Sequence, residues 1–138
     1  MKKIFLFVIV SVIFSCKKEK NCNQDMNGIS GTYRITAIGY KANASAAEQD
    51  YYNFFFTDAC EKDNQVVLNA NGTASFVDAG VKCAPAGDFT STWSVNGSTI
   101  TIDGDAANIQ SFNCSTLVVT GTGVFTANDQ LKLTYTRL

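Results

Sequence analysis

The chain has 138 residues, of which 46% are hydrophobic, and its 11 basic and 12 acidic residues give a formal net charge of −1. It has neither a basic patch nor a run of like charges, which argues against nucleic acid as a partner. It also contains no histidine, which excludes Ser–His and Cys–His nucleophile pairs and imidazole metal sites.

The N-terminal segment MKKIFLFVIVSVIFSCKKEK has the pattern of a secretory leader. Two lysines precede an apolar run from Ile4 to Phe14, which is shorter than the roughly 20 residues of a membrane-spanning helix but has the length of a signal-peptide core. The small Ser15 directly precedes Cys16, and polar residues follow. The junction resembles a bacterial lipobox, in which the signal peptidase cuts before the cysteine and the cysteine then carries lipid.

Phe14 departs from the lipobox pattern, which usually has a small residue two places before the cysteine. The alternative is an ordinary signal peptide with an incidental cysteine. Two or more acyl chains hold a protein on a membrane surface far better than one does, so we expect a protein that is anchored at Cys16 and does not cross the bilayer. Lys17 and Lys18, with no aspartate beside them, imply by general lipoprotein sorting the outer membrane of a Gram-negative cell envelope.

These features predict three segments: a signal peptide over residues 1–15, a lipidated cysteine with a flexible polar tether over residues 16–30, and one folded domain over residues 31–138. Removal of the signal peptide would leave 123 residues and change the formal net charge from −1 to −3, because two lysines are lost. This is the length of a single domain.

From Gly31 onward, alternating apolar and polar residues predict β-strands. The segment QVVLNANGTASFV indicates a hairpin that turns at Asn69–Gly72, and FTSTWSVNGSTITI indicates a second hairpin with a type I′ turn at Asn96–Gly97. The only helical candidate is Ser45–Asn53. With further strands over Asn108–Phe112, Thr116–Thr122 and Gln130–Arg137, the total is eight.

Eight consecutive antiparallel strands with one apolar face favour an all-β, up-and-down barrel, because closure removes the exposed strand edges. A short helix or lid would lie between the first and second strands. A sandwich of two sheets is the alternative, and strand counting does not separate the two.

Several short segments resemble the lipocalin-like domains of bacterial envelope lipoproteins. They are GTYRI, DACEKDN, NGT, KC, STWSV with NG, and the final LKLTYTR. Lipocalins open with G-x-W and carry a basic residue on the closing strand that packs across the tryptophan. Here Tyr33 stands in the tryptophan position of Gly31-Thr32-Tyr33, and Arg137 is the candidate partner. The resemblance implies an eight-stranded cup with a mouth at one end.

Apart from Cys16, the chain has an even number of cysteines in what we expect to be an oxidising compartment. If Leu68 faces Thr73 across the predicted hairpin, Cys60 comes close to Cys83, so we predict this disulfide. Cys22 and Cys114 then pair by elimination. The acids Asp58, Glu61, Asp63 and Asp78 could in principle hold Ca²⁺, but their spacing matches no calcium loop, so we expect solvated turns, no metal site and no cofactor.

The stretch from Asp50 to Thr57 contains five aromatic residues and falls in the long connection that would fold over the mouth. Its rings could plug the barrel, form the mouth of a small-molecule site or form a surface for a partner protein. Our expectation is a partial plug that leaves room for a small ligand beside Trp93. The candidate ligand-binding residues are Tyr33, Tyr51, Tyr52, Phe54, Phe55 and Trp93.

Two hypotheses for function follow. The first is a non-catalytic, lipid-anchored binding protein that holds a small apolar molecule in the barrel. The second is an envelope interaction domain that has a filled core and meets another envelope protein through its exposed loops.

Overall fold

The computed structural model describes residues 22–138. The predicted signal peptide, the lipidation site at Cys16 and the first part of the tether lie outside the described residues. The elements in chain order are α1 (Met26–Ile29), β1 (Gly31–Lys41), β2 (Gln49–Asp50), α2 (Tyr52–Phe55), β3 (Gln65–Leu68), β4 (Thr73–Val77), β5 (Phe89–Asn96), β6 (Thr99–Ile102), β7 (Asp105–Phe112), β8 (Thr116–Thr122) and β9 (Gln130–Arg137).

The strands form one antiparallel sheet that closes on itself. Consecutive strands from β3 to β9 pair as neighbours, and β1 pairs with both β3 and β9. The predicted antiparallel barrel is therefore confirmed, and its eight predicted strands correspond to β1 and β3–β9. The additional strand β2 has two residues and pairs with Gly39 and Tyr40 of β1.

The closed end of the barrel is the end at which α1 lies. Ile29 of α1 is fully buried and belongs to the same hydrophobic cluster as Tyr33 and Trp93. A disulfide joins Cys22 to Cys114, next to the β7–β8 turn. Residues 22–30, which the sequence interpretation assigned to the flexible tether, are thus a structured part of the domain, because Ile29 supplies an apolar side chain that closes the core.

The open end is the opposite end, where β4, β6 and β8 finish and β5, β7 and β9 begin. β1 pairs with β3 only from Gly31 to Tyr33, and higher up it pairs with β2 instead. The upper parts of β1 and β3 therefore diverge. A β-bulge between Ile35 and Ala37 in the β1–β9 pairing accompanies this divergence, and the gap leads into the barrel interior.

The β3–β4 hairpin has a register that differs by one residue from the prediction. Leu68 pairs with Ala74 rather than Thr73. The amide of Gly72 donates to Asn69 O, and the amide of Asn69 donates to Thr73 O. Gly72 has a φ of +87°, a conformation that glycine adopts without steric cost, and it forms the extra turn residue that shifts the register.

The segment Ser45–Asn53 is not a helix, which corrects the sequence prediction. The Asn43 side chain accepts from the amide of Ser45, and the Asp50 side chain accepts from the amide of Tyr52. Such local bonds compete with helix formation. The amide of Tyr51 is also bound to Ile38 O of β1, so a one-turn helix forms only over Tyr52–Phe55. A short helix does lie between β1 and β3, as predicted.

Two disulfides staple the described part of the chain. Cys60 is bonded to Cys83 and Cys22 to Cys114, with Cα–Cα distances of 5.3 and 5.2 Å. Both pairs are those predicted, although the register used for the first was off by one residue. Within residues 22–138, the helices are too short to cross a bilayer.

Candidate ligand-binding site

Two adjoining cavities lie at the open end. Cavity 1 has a volume of about 160 Å³ and cavity 2 a volume of about 260 Å³. Cavity 1 opens where β1 and β3 diverge and is lined by Ile35, Phe56, Glu61, Asn64, Gln65, Val66, Phe76, Val77, Gly87 and Phe89. Cavity 2 lies under β5–β9 and is lined by Phe76, Phe89, Ile100, Ile102, Asp103, Asp105, Ala107, Val119, Leu133 and Tyr135.

Phe76 and Phe89 form the partition between the cavities, since both rings line both spaces. The two residues are cross-strand partners on β4 and β5. Their rings stack with centroids 4.1 Å apart and planes 9° apart. Because Phe89 is 48% exposed, its ring can move at a modest cost in buried area, and the two cavities would then merge.

Tyr135 contributes a hydroxyl to the wall of cavity 2, which is apolar apart from this group and from Asp103 and Asp105 at its edge. The side chain is 7% exposed, and burial raises the pKa of Tyr135 to about 12. Within residues 22–138 its hydroxyl makes no hydrogen bond, and it keeps some accessible surface. Because Tyr135 lines cavity 2, a ligand in that cavity can reach the hydroxyl. A phenol that stays neutral can donate and accept one hydrogen bond each.

The charged residues that line the two cavities are all acidic. Asp103 and Asp105 flank the β6–β7 turn at the edge of cavity 2, and Glu61 lies at cavity 1. Asp103 accepts a hydrogen bond from the Ser91 hydroxyl, and the Glu61 carboxylate accepts from the amide of Asp58 at 2.9 Å. The rim therefore carries negative charge above an apolar interior.

Five rings form a cluster, which we call the aromatic cap, over the β1–β9 side of the open end: Tyr40, Tyr51, Phe54, Phe55 and Phe125. Tyr40 stacks on Tyr51 at 4.6 Å, and Phe55 stacks on Phe125 at 5.9 Å. Tyr40 is paired with Leu131 across the β1–β9 seam, so the cap covers that side and leaves the β4–β7 side open.

Asp129 holds the β8–β9 loop that carries Phe125. Asp129 is fully buried. Its carboxylate accepts from the amides of Val124, Phe125 and Thr126 at 2.7–2.8 Å. Burial pushes the pKa of Asp129 upward, but these backbone hydrogen bonds outweigh it, and the net pKa lies below the ordinary value. The loop is thus anchored on an ionised carboxylate.

The six predicted ligand-binding residues fall into two groups, and none lines the two cavities in the described structure. Tyr33 and Trp93 are 0% and 2% exposed in the closed-end core. The Trp93 indole N–H donates to Asn69 O at 2.7 Å. Because both rings are already packed and hydrogen-bonded, they have no surface to offer a ligand, which corrects their assignment.

The other predicted residues belong to the lid. Tyr51, Phe54 and Phe55 lie in the aromatic cap, whereas Tyr52 packs against Phe56, with ring centroids 5.2 Å apart. Phe56 lines cavity 1, so Tyr52 contacts the site only through the Phe56 ring. The space expected beside Trp93 lies instead beside Phe76, Phe89 and Tyr135.

Sequence reasoning missed three residues of the site. Phe76, Phe89 and Tyr135 line cavity 2, but none of them is among the six predicted ligand-binding residues. The alternation of Leu133 and Tyr135 on the closing strand was the available signal, since it places a hydroxyl on the inner face.

The acids considered for Ca²⁺ serve the loops instead. Asp78 is 1% exposed and its side chain accepts from the amide of Cys83 at 2.9 Å. The prediction of a solvated turn is therefore wrong for Asp78. Asp63 accepts from the amide of Val81 at 2.9 Å. Among residues 22–138, no three His, Cys, Asp or Glu side chains are arranged to hold a metal ion.

The comparison with known families agrees with this architecture. A family model described as a lipocalin-like domain matches residues 29–119, from the buried Ile29 to Val119 in β8. No curated protein and no solved structure gave a significant match. The match covers more than half of the chain, and the chain therefore belongs to the lipocalin-like domain family.

Proposed function

We propose that this protein is a non-catalytic binding protein of the cell envelope that holds a small, largely apolar molecule at the open end of its barrel. The observation that carries the proposal is the pair of adjoining cavities that share Phe76 and Phe89. Binding sites are typically concave and mostly apolar, with a few polar groups that orient the ligand, and the combination of apolar walls with Tyr135 fits that description.

The volumes limit the ligand's size. Cavity 1, at about 160 Å³, is close to the engineered apolar cavities of about 150 Å³ that accept a benzene ring. Each cavity alone is smaller than the roughly 300 Å³ at which drug-sized pockets begin. A ligand of one or two rings therefore fits as the site stands, and a longer one requires the Phe89 ring to swing outward.

The lipid anchor belongs to the same proposal. The signal peptide and lipidation at Cys16 are supported by the lipobox resemblance, and Cys22 lies at the closed end. An anchor six residues before Cys22 would leave the cavities facing away from the membrane. The ligand would then enter from the aqueous side.

The test uses N-phenyl-1-naphthylamine, a neutral apolar dye that accepts excitation energy from tryptophan. Trp93 is the chain's only tryptophan, and its strand partner Ile102 lines cavity 2, so bound dye should quench Trp93 emission saturably. Native mass spectrometry of the purified protein would show whether a small molecule is retained.

Two matched variants locate the binding. Ala107→Leu adds three carbons inside cavity 2 and should weaken dye binding about tenfold or more, since a filled cavity has no room for the ring. Ala106→Leu, on the exposed outer face of the same strand, should leave it unchanged. Saturable binding that is equal in both variants would contradict the proposed site.

A second candidate is an interaction domain, and the exposure of the aromatic cap favours it. Phe54 is 64% exposed, Phe125 49% and the adjacent Val124 45%. Contiguous exposed apolar residues often mark a contact surface. A photo-crosslinking residue at position 54 should then capture one defined envelope protein, whereas the same residue at the exposed position 90 should not.

A further inference from the structure

We infer that the open end of the barrel selects a protonated amine with an apolar body over a carboxylate, and that Tyr135 binds a hydrogen-bonding atom at the ligand's buried end. The inference rests on the proposed function and names the class of ligand for cavity 2. The two observations that carry it are the neutral hydroxyl in the wall and the acids at the rim.

Tyr135 is an unpartnered polar side chain in a nearly dry wall. It is 7% exposed, and within the described residues its hydroxyl has no hydrogen-bond partner. A nearly buried polar group that lacks a hydrogen-bond partner is costly. A ligand atom that donates to or accepts from this hydroxyl recovers that cost, whereas a purely apolar ligand leaves it in place.

The rim supplies the charge preference. The Asp105 carboxylate accepts no hydrogen bond from the described residues, and Asp103 keeps one carboxylate oxygen without a described partner. Two lysines of the open-end loops are engaged elsewhere: Lys62 donates to the Asn53 side chain at 3.0 Å, and Lys82 donates to Asp78 O. A carboxylate ligand in cavity 2 would meet two like charges and no described cation on the wall, whereas an ammonium group would be attracted by both.

Tyr135 and the two acids line the same cavity of about 260 Å³. A ligand that reaches both must therefore be small: one ring with a short arm between its two polar groups. The ring would lie against Phe76, Phe89 and Leu133, and the ammonium group would lie at the rim beside Asp103 and Asp105.

The test is isothermal titration calorimetry of the purified full chain with three probes. All three contain a phenol and they differ in charge: tyramine (cation), 4-(2-hydroxyethyl)phenol (neutral) and 4-hydroxyphenylacetate (anion). At low ionic strength we expect tyramine to bind at least about tenfold more tightly than 4-hydroxyphenylacetate, and this ratio should shrink in about 1 M salt, where the Debye length is about 3 Å.

Variants separate the two contributions. Asp103→Asn combined with Asp105→Asn should bring the tyramine and 4-(2-hydroxyethyl)phenol affinities to within about twofold, because the charge attraction is lost. Asparagine also tolerates the φ of +54° at position 103. The control, Glu48→Gln with Asp50→Asn, removes the same charge from the outer β1–β2 side and should leave the ratio unchanged.

Tyr135→Phe should weaken the binding of tyramine about 3–10-fold, to the affinity of phenethylamine, which lacks the phenol hydroxyl.

Equal or tighter binding of 4-hydroxyphenylacetate would overturn the inference, as would a charge preference that survives the Asp103/Asp105 variant. If the naphthylamine dye binds and none of the three phenols does, the inference is overturned and the proposed function stands. If neither the dye nor any of the three phenols binds, both are overturned.

Discussion

Arg137 of the last strand packs across Tyr33 of the first. The guanidinium carbon lies 5.2 Å from the centroid of the Tyr33 ring, and Nη2 donates to the Tyr33 hydroxyl at 2.7 Å. The same Nη2 lies 2.7–3.2 Å from the carbonyls of Gly28, Ile29 and Ser30. One side chain thus ties α1 to the seam that closes the barrel.

Arg137→Met should lower the free energy of unfolding by about 3 kcal/mol or more, because it leaves several partly buried acceptors without a charged donor. Tyr33→Phe should cost about 1–2 kcal/mol, and the two effects should be non-additive, since the residues share a hydrogen bond. Urea denaturation of both single variants and the double variant measures this.

Arg34→Met provides the control. Arg34 lies next to Tyr33 on β1, but its Nε is buried without a hydrogen-bond partner among the described residues. Its loss should cost under about 1 kcal/mol, as for an ordinary position outside a network. Equal losses at positions 34 and 137 would show that Arg137 contributes packing rather than hydrogen bonds.

The two disulfides should differ in their contribution to stability. Cys60–Cys83 joins residues 23 positions apart, and Cys22–Cys114 joins residues 92 apart. In the chain-entropy model these loops correspond to about 3 and about 4.5 kcal/mol. Replacing the cysteines pairwise by serine should therefore lower the melting temperature more for the second pair. Non-reducing peptide mapping should recover the same two pairs, and a Cys60–Cys114 peptide would contradict the structure.

Acid should loosen the β8–β9 loop through Asp129. Because the pKa of Asp129 in the folded protein lies below its ordinary value, its stabilising contribution is present in full above about pH 4 and is lost as the pH falls through the ordinary and then the folded value. Asp129→Asn should lower stability at pH 6 and show a weaker decrease between pH 4 and pH 2.5 than the wild type.

Thermal melts at matched ionic strength across this range provide the measurement. Asp58→Asn serves as a control, since Asp58 is exposed and its side chain accepts no hydrogen bond within residues 22–138. A wild-type profile that coincides with that of Asp129→Asn at all pH values would exclude Asp129 as the anchor of the loop.

The predicted anchor at Cys16 is tested in cells. Cys16→Ser should abolish labelling with a clickable palmitate analogue and leave an uncut precursor, because the signal peptidase that recognises the lipobox requires the cysteine. Ser15→Ala retains a small residue before Cys16 and should still be processed. A Cys16→Ser protein that is cut and remains with the membrane would show that another segment is the anchor.

The sequence predicted the barrel well because its strands have strong period-two patterns and turn residues at the right places. Trp93, Ile100 and Tyr135 follow that alternation and are buried. The predictions failed where single local hydrogen bonds and turns decided the outcome. Gly72 shifts one hairpin, and α2 begins at Tyr52 rather than at Ser45, with the Tyr52 amide bound to the Asp50 side chain.

The candidate site was harder to predict than the fold. The density of rings around Phe54 attracted the ligand assignment, but those rings pack on Tyr40 and Phe125, which are distant in sequence. Cavity 1 depends on the divergence of β1 from β3 after Tyr33. That divergence is a property of the tertiary structure, and the alternation of apolar and polar residues along one strand does not predict it.

The last prediction separates the aromatic cap from the site. The double variant Tyr51→Ala with Phe55→Ala removes the ring that stacks on Tyr40 and the ring that stacks on Phe125. Because both side chains are partly exposed, we expect a loss of about 2–3 kcal/mol, below the 3–5 kcal/mol of one fully buried ring. Dye affinity should stay within about twofold, because neither residue lines a cavity. Phe56→Ala, on the wall of cavity 1, should instead change dye affinity several-fold. If the double variant keeps its fold but loses dye binding, the cap is the mouth of the site, and the ligand enters over Phe55 rather than past Phe89.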